Sequence, residues 1–198
     1  MKPNEQSGDT FSPATGKYTR LRAVRPSDTQ WLYELTTGSS VAHRWRLRGS
    51  SISPSGFDQF LWHDVQIQMI GEALSSGERA GLFQMFGHDP MSGFAHLSAI
   101  VPPHLMRRGW PFEALLLFVD LVFRSWDVRK LYLESPEFVA VDYAAGAGEL
   151  LHEEGRLKAH YYWDDQFWDQ RIFAIYRDTW RASRGDLIVH RTQESAYE

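Results

Sequence analysis

The chain contains no cysteine. That absence removes disulfides, thiolate nucleophiles and thiolate metal ligands from consideration. Long apolar runs are lacking too. No stretch approaches the roughly 18 consecutive apolar residues of a membrane-spanning helix. The opening "MKPNEQSGDTFSPATG" has no apolar core of the kind a secretory leader carries. An excess of one charge is also missing. A formal net charge of -4 gives no electrostatic basis for a general nucleic-acid or membrane-surface binder. The expectation is a cytoplasmic protein without nucleic-acid or membrane partners.

What is present is a folding composition. With 198 residues, 43% of them hydrophobic, the chain is long enough to bury one full core. Residues 1–16 are rich in Ser, Thr, Pro and Gly and read as a flexible tail, and residues 183–198 as a polar C-terminal tail. Residues 17–182 form a single domain with no repeat or change of composition. "KYTRLRAVRP" alternates as a first strand. "SDTQWLYELTTG" is a helix with Ser27 or Asp28 as N-cap. "SPSGFDQFLWHDVQIQMIGEAL" carries Phe57, Phe60, Leu61, Val65 and Met69 at helical spacing. "AGLFQMF" and "FAHLSAIV" are antiparallel strands about the turn "GHDPMSG", and "FEALLLFVDLVF" is a helix apolar on most sides. "RKLYLES" is a short strand, "VDYAAGAGELLHEEG" is helical, and "RLKAHYYWDDQFWDQRIFAIYRDTW" is two strands about a "DDQ" turn. The predicted class is α+β with α/β-type layers: a mixed, mostly antiparallel sheet of about six to seven strands, with helices on both faces.

One stretch carries chemistry. In "LMRRGWPFEALLLFVDLVF" a turn with Arg107, Arg108 and Gly109 runs into a buried helix. The first N–H groups of a helix lack intrahelical partners, the dipole adds positive potential, and guanidinium groups match phosphate oxygens. Pro111 suits a helix start at N1, so the same residues also describe a plain helix N-terminus with a solvated rim. Among the histidines, His96 lies in a strand, where an imidazole can act as base near neutral pH or serve as a structural hydrogen-bonding group. "HEEGR" lacks the second histidine of a zinc helix, and no metal site is expected. Trp45 between Arg44 and Arg46 is either an aromatic plug or part of an acceptor or carrier-protein surface.

The order of these segments resembles the GNAT N-acyltransferase superfamily, in the branch containing ribosomal-protein-alanine acetyltransferases. The likeness runs through "AIVPPHLMRRGWPFEALLLFVDLVF", "RKLYLES", "EGRL" and "YYWDDQFWD", over roughly residues 17–182. It implies that the family's pyrophosphate loop corresponds to Met106, Arg107, Arg108, Gly109, Trp110 and Pro111, followed by Glu113 and Ala114. Met106 replaces the usual Gln or Arg, and Pro111 has no N–H for a phosphate. The resemblance further implies a thioester contact along Leu97, Ser98, Ala99, Ile100 and Val101. It makes Glu134 a base, with a surface carboxylate paired to Arg129 or Lys130 as its alternative. It makes Tyr143 an acid, although that residue falls a few positions early. Tyr162, Trp163 and Asp164 fall where the family shapes its acceptor pocket, and Trp45 and Arg46 could join them. The implied activity is N-acyl transfer, with acetyl-CoA or another acyl-CoA as co-substrate. The alternatives are a carrier-protein phosphopantetheine thioester as donor, or a non-catalytic binding module. The implied acceptor is a small-molecule or peptide amine, and exposed aromatics are compatible with a homodimer.

Overall fold

A computed structural model describes residues 14–38, 41–106, 108–139 and 150–189. Eight strands form one sheet: β1 (Ala14–Thr15), β2 (Thr19–Ala23), β3 (Val65–Ala73), β4 (Arg79–Asp89), β5 (Phe94–Ile100), β6 (Lys130–Pro136), β7 (His152–Trp163) and β8 (Gln166–Tyr176). Their spatial order is β1-β2-β3-β4-β5-β6-β8-β7. β5 and β6 are parallel, and every other neighbouring pair is antiparallel. The count exceeds the expected six to seven because β1 adds a short edge and the segment "VQIQMIGEA" is a strand.

That segment was expected to continue the preceding helix. Instead α2 (Pro54–Trp62) stops at Trp62, and Asp64 takes a left-handed φ of 56° that turns the chain into β3. Beyond it the residues alternate between faces. Ile67 and Met69 pack in one core and Ile70 in the other. Both faces are covered, so the strand is buried almost throughout and its spacing mimics a helix. The Ser cap expected for α2 is present: Ser53 Oγ accepts from Gly56 N at 3.2 Å.

Helices cover both faces. α1 (Thr29–Thr37) and α2 close one core through Leu32, Phe57 and Leu61 against Ile70, Leu82 and Ile100. On the other face α3 (Gly109–Ser125) buries 11 of its 17 residues. It packs closely because Gly71 faces it; a Cβ there would stand 2.7 Å from the Ala114 Cβ. α4 (Arg177–Val189) lies beside α3, where strand and polar tail were expected. Two contacts turn this segment into a helix on α3. The Arg177 guanidinium donates to the C-terminal carbonyls of Phe123 and Trp126 and to Val128 O. Trp180 is 1% exposed, stacks near Phe123, and donates to Asp120 Oδ1 at 3.2 Å.

Two buried carboxylates pin the first strands. Asp28 stands at the N-cap position of α1 but does not cap it. Its oxygens receive Arg22 Nη1 at 2.7 Å, Arg79 Nε at 2.9 Å and Arg25 N at 2.9 Å. Burial pushes its pKa up, but these donors, Arg22 foremost, outweigh that and hold it at about 2. Glu113 on α3 accepts from the backbone N–H groups of Lys17, Tyr18 and Thr19 at 2.7–2.9 Å and from Thr19 Oγ1 at 2.8 Å. The β1–β2 turn is thereby fastened to the first turns of α3.

Candidate active site

β5 and β6 pair only through Phe94–Lys130, Ala95–Leu131 and His96–Tyr132. Past that point β5 stays on β4 as far as Ile100, and β6 stays on β8 as far as Pro136. The two strands therefore part, and alternate residues of each present N–H and C=O groups to the gap instead of to a partner strand. A cleft of about 340 Å³ opens there, lined by His96, Ser98, Glu134, Trp45, Arg46 and Tyr161 among others.

Alternation along the strands sorts the lining. Leu97 and Leu133 point into the α3 core. His96, Ser98, Tyr132 and Glu134 take the other face, beneath the loop joining α1 to α2. His96 Nδ1 stands 3.6 Å from Glu134 Oε1. Glu134 Oε2 accepts from Gln170 Nε2 at 2.6 Å, and Gln170 is 2% exposed. The expected alternative partners of Glu134 are engaged elsewhere: Lys130 pairs with Glu154 at 2.7 Å, and Arg129 donates to Ser92 O at 2.9 Å. Glu154 is a saturated carboxylate. Burial raises its pKa, but Lys130, Tyr176 and Tyr132 all donate to it and hold it at about 2. Among the described residues the histidine is the one charged or titratable group recorded beside Glu134 Oε1.

His96 is fixed by aromatic neighbours. Its ring stacks on Phe86 with centroids 5.4 Å apart and lies 5.8 Å from Tyr132. Gly87, at φ 58°, leaves room for it: a Cβ there would meet His96 Cδ2 at 3.0 Å. The roof is aromatic as well. Trp45 is 5% exposed and donates through Nε1 to Ser98 Oγ at 3.0 Å. Arg46 lies over Phe86 and Phe60. The β7–β8 hairpin turns at Asp164 and Asp165, both left-handed, and reaches the same loop. The Tyr161 hydroxyl donates to His43 O, and the His43 and Trp163 rings are in contact. Burial pushes the Tyr161 phenol up and the His43 imidazole down, so at neutral pH both stay uncharged.

At the far end, α3 begins beyond a short turn. Arg108 N spends its proton on Leu105 O at 2.9 Å. The first helical N–H groups are those of Gly109 and Trp110. Pro111 is the third helical residue, not the first, and supplies no donor. It costs the helix no bond there, because the first four N–H groups have no intrahelical acceptor. Met106 and Arg108 are exposed at this mouth.

The structure thus gathers His96, Leu97, Ser98, Ala99, Glu134, Trp45 and Arg46 around one cleft. Ile100 is buried in the α1–α2 core, and Val101 follows the end of β5. Tyr162 is 58% exposed and bonded to Asp165 on the hairpin's outer side, and neither it nor Asp164 lines the cleft. Arg107 and Tyr143 lie outside the described residues, as do residues 141–149 of the "VDYAAGAGELLHEEG" segment expected to be helical; its last four residues, 152–155, are instead the start of β7, held extended by pairing with β8. Gln170, Tyr161, Arg48 and His43 join the lining without having been singled out. Only the sheet order, which sets β8 beside β6, brings Gln170 to Glu134.

A sheet that splays between two parallel strands, with a helix starting beyond the gap, is the GNAT fold. The chain resembles spermidine N-acetyltransferase from Vibrio cholerae in complex with CoA and spermine, with a TM-score of 0.71 and 15% identity, covering 83% of this chain and 98% of that one. It resembles a GCN5-related N-acetyltransferase from Brucella melitensis with a TM-score of 0.70 and 20% identity, covering 91% and 85%. A GNAT-family acetyltransferase from Bacillus anthracis matches with a TM-score of 0.67 and 13% identity, covering 83% and 98%. No family model and no curated protein sequence matches the chain.

Proposed function

We propose that the protein is an N-acyltransferase that moves an acyl group from an acyl-CoA thioester to an amine by direct attack. The observation that carries this reading is the gap between β5 and β6 with the Glu134–His96 pair at its closed end. A pantetheine arm is long, thin and rich in amides, and it suits a slot whose two walls are unpaired strand edges. The N–H groups of Gly109 and Trp110 and the exposed Arg108 suit the phosphates at the slot's mouth.

In this reading the acceptor enters beneath the α1–α2 loop as an ammonium ion. Glu134 takes one proton and frees the lone pair, which attacks the thioester carbonyl. The second amine proton, released as the C–N bond is completed, ends on the departing sulfur. The C–S bond breaks, and the thiolate is protonated to free CoA thiol. Gln170 keeps the Glu134 carboxylate aimed into the cleft, and His96 supports it from the other oxygen. The carbonyl oxygen is served by strand-edge N–H groups of β5.

The final hairpin, with its "EGRL" and "YYWDDQFWD" segments, supports placement near the ribosomal-protein-alanine branch, with a small-molecule or peptide amine as acceptor. Pro111 favours a second donor. With one N–H fewer at the helix mouth, a phosphopantetheine thioester on a carrier protein would lose less than free CoA does. Release of thiol from acetyl-CoA tests the reading. The chain has no cysteine, so a thiol-reactive dye sees only product. Amine-dependent thiol release is expected, and its absence across small amines, peptides and loaded carrier protein would exclude acyl transfer.

A further inference from the structure

The cleft carries more positive charge than an amine acceptor alone explains. Arg44, Arg46 and Arg48 line it, and among the described residues Glu134 is the one carboxylate that does. Arg46 is the most constrained of them. Its guanidinium carbon stands 4.6 Å from the Phe86 ring centroid and 5.4 Å from that of Phe60, and Nη2 donates to His63 O at 2.8 Å. Nη1 is buried with no hydrogen-bond partner. Burial lowers the Arg46 pKa, partly offset by the charge of Asp64. Among the described residues neither Arg46 nor Arg48 forms an ion pair. A half-buried guanidinium with an unpaired donor is costly unless an anion completes it.

Position separates these groups from the donor phosphates. Arg46 and Arg48 belong to the α1–α2 loop, on the sheet face opposite α3, whereas the helix mouth at Gly109 serves the other side. Arg48 is close enough to Tyr161 for its charge to oppose the upward push of burial on the phenol. The two arginines therefore flank the acceptor half of the cleft. Resting on the acyltransferase reading, we propose that the acceptor amine also carries an anionic group, a carboxylate or a phosphate. Arg46 binds that group with Arg48 and so holds the amine towards Glu134. A polyamine such as the spermine in the Vibrio cholerae complex belongs to the opposite charge class and would be repelled by these arginines.

Binding and turnover are measured separately so that the two ideas fail separately. Binding is followed by calorimetry with matched probes: each α-amino acid against its α-carboxamide, phosphoethanolamine against ethanolamine, and spermidine. At least one anionic amine is expected to bind about tenfold to hundredfold tighter than its neutral partner. The pair that shows this distinguishes carboxylate from phosphate. Arg46→Gln should erase that preference. Arg48→Gln, at an exposed position and so safe for folding, should reduce it severalfold. Equal binding within every pair, tighter binding of spermidine, or a preference untouched by both substitutions would overturn the proposal, whatever the turnover shows. Thiol release from acetyl-CoA with the same probes tests acyl transfer itself, and anion-selective binding without it would overturn only the catalytic reading.

Discussion

Glu134→Gln is expected to lower kcat/KM for amine-dependent thiol release by about 10²- to 10⁴-fold, the usual contribution of a positioned general base. The substitution is close to isosteric, and its amide oxygen can still accept from Gln170 Nε2, which now reaches Glu134 Oε2 at 2.6 Å. Fold and thermal stability should therefore hold, and the loss should fall on the chemical step. His96→Ala should cost less, about tenfold, because the ring stands 3.6 Å from the carboxylate and supports it from one side. Steady-state kinetics and a melting curve on the same samples separate the two effects. A Glu134→Gln enzyme with full rate would remove Glu134 from the mechanism. An equal collapse in melting temperature would reassign it to structure.

Glu113→Gln should have the largest effect on stability. The carboxylate takes four hydrogen bonds from the β1–β2 turn, and the residue is 3% exposed. A glutamine with its oxygen at the Oε2 position keeps three of these donors but sets its NH₂ group against the Lys17 N–H. One donor left unpaired costs about 1–3 kcal/mol, and the other three bonds lose their charge assistance, so a loss of about 2–4 kcal/mol is expected. For a chain of this length that is a fall of roughly 5–15 °C in Tm. Gly16 cannot give way by carrying a larger residue, since a Cβ there would lie 2.6 Å from the Glu113 carboxyl carbon. Urea or thermal unfolding of the variant measures the change. A shift below about 0.5 kcal/mol would mean that the turn is held by other contacts.

The parts of the fold legible in the sequence are those whose pattern is local. The β4–β5 pair, α3 and the β7–β8 hairpin follow from alternation, an apolar run behind a turn, and the Asp164–Asp165 pair. β3 was misread because a strand buried on both faces loses its alternation, and Phe57 to Met69 happen to continue a helical spacing. α4 was missed because Trp180, the apolar anchor among its described side chains, finds its site only once α3 is in place. Asp28 looked like a helix cap, but its oxygens are claimed by Arg22 and Arg79 from two other strands.

The site divides along the same line. His96 stood out by residue type and its place in a strand, and Trp45 and Arg46 as an aromatic set among arginines, whereas Glu134 came only from the family resemblance. That His96 and Glu134 share one face was not recognisable, because their parity depends on the His96–Tyr132 register of a three-residue parallel pairing. Gln170 and the unpaired donor of Arg46 carry no signal in the chain at all. Both arise where β8 meets β6 and where the α1–α2 loop closes over Phe86.

The central claim is that the gap between β5 and β6 receives a pantetheine thioester. A crystal structure of the protein grown with CoA tests it most directly. The expected result is a pantetheine arm lying between residues 97–101 and 133–136, its sulfur near Glu134 and its phosphates at Gly109 and Trp110. CoA bound elsewhere, or a gap closed by continued β5–β6 pairing beyond His96 and Tyr132, would contradict it.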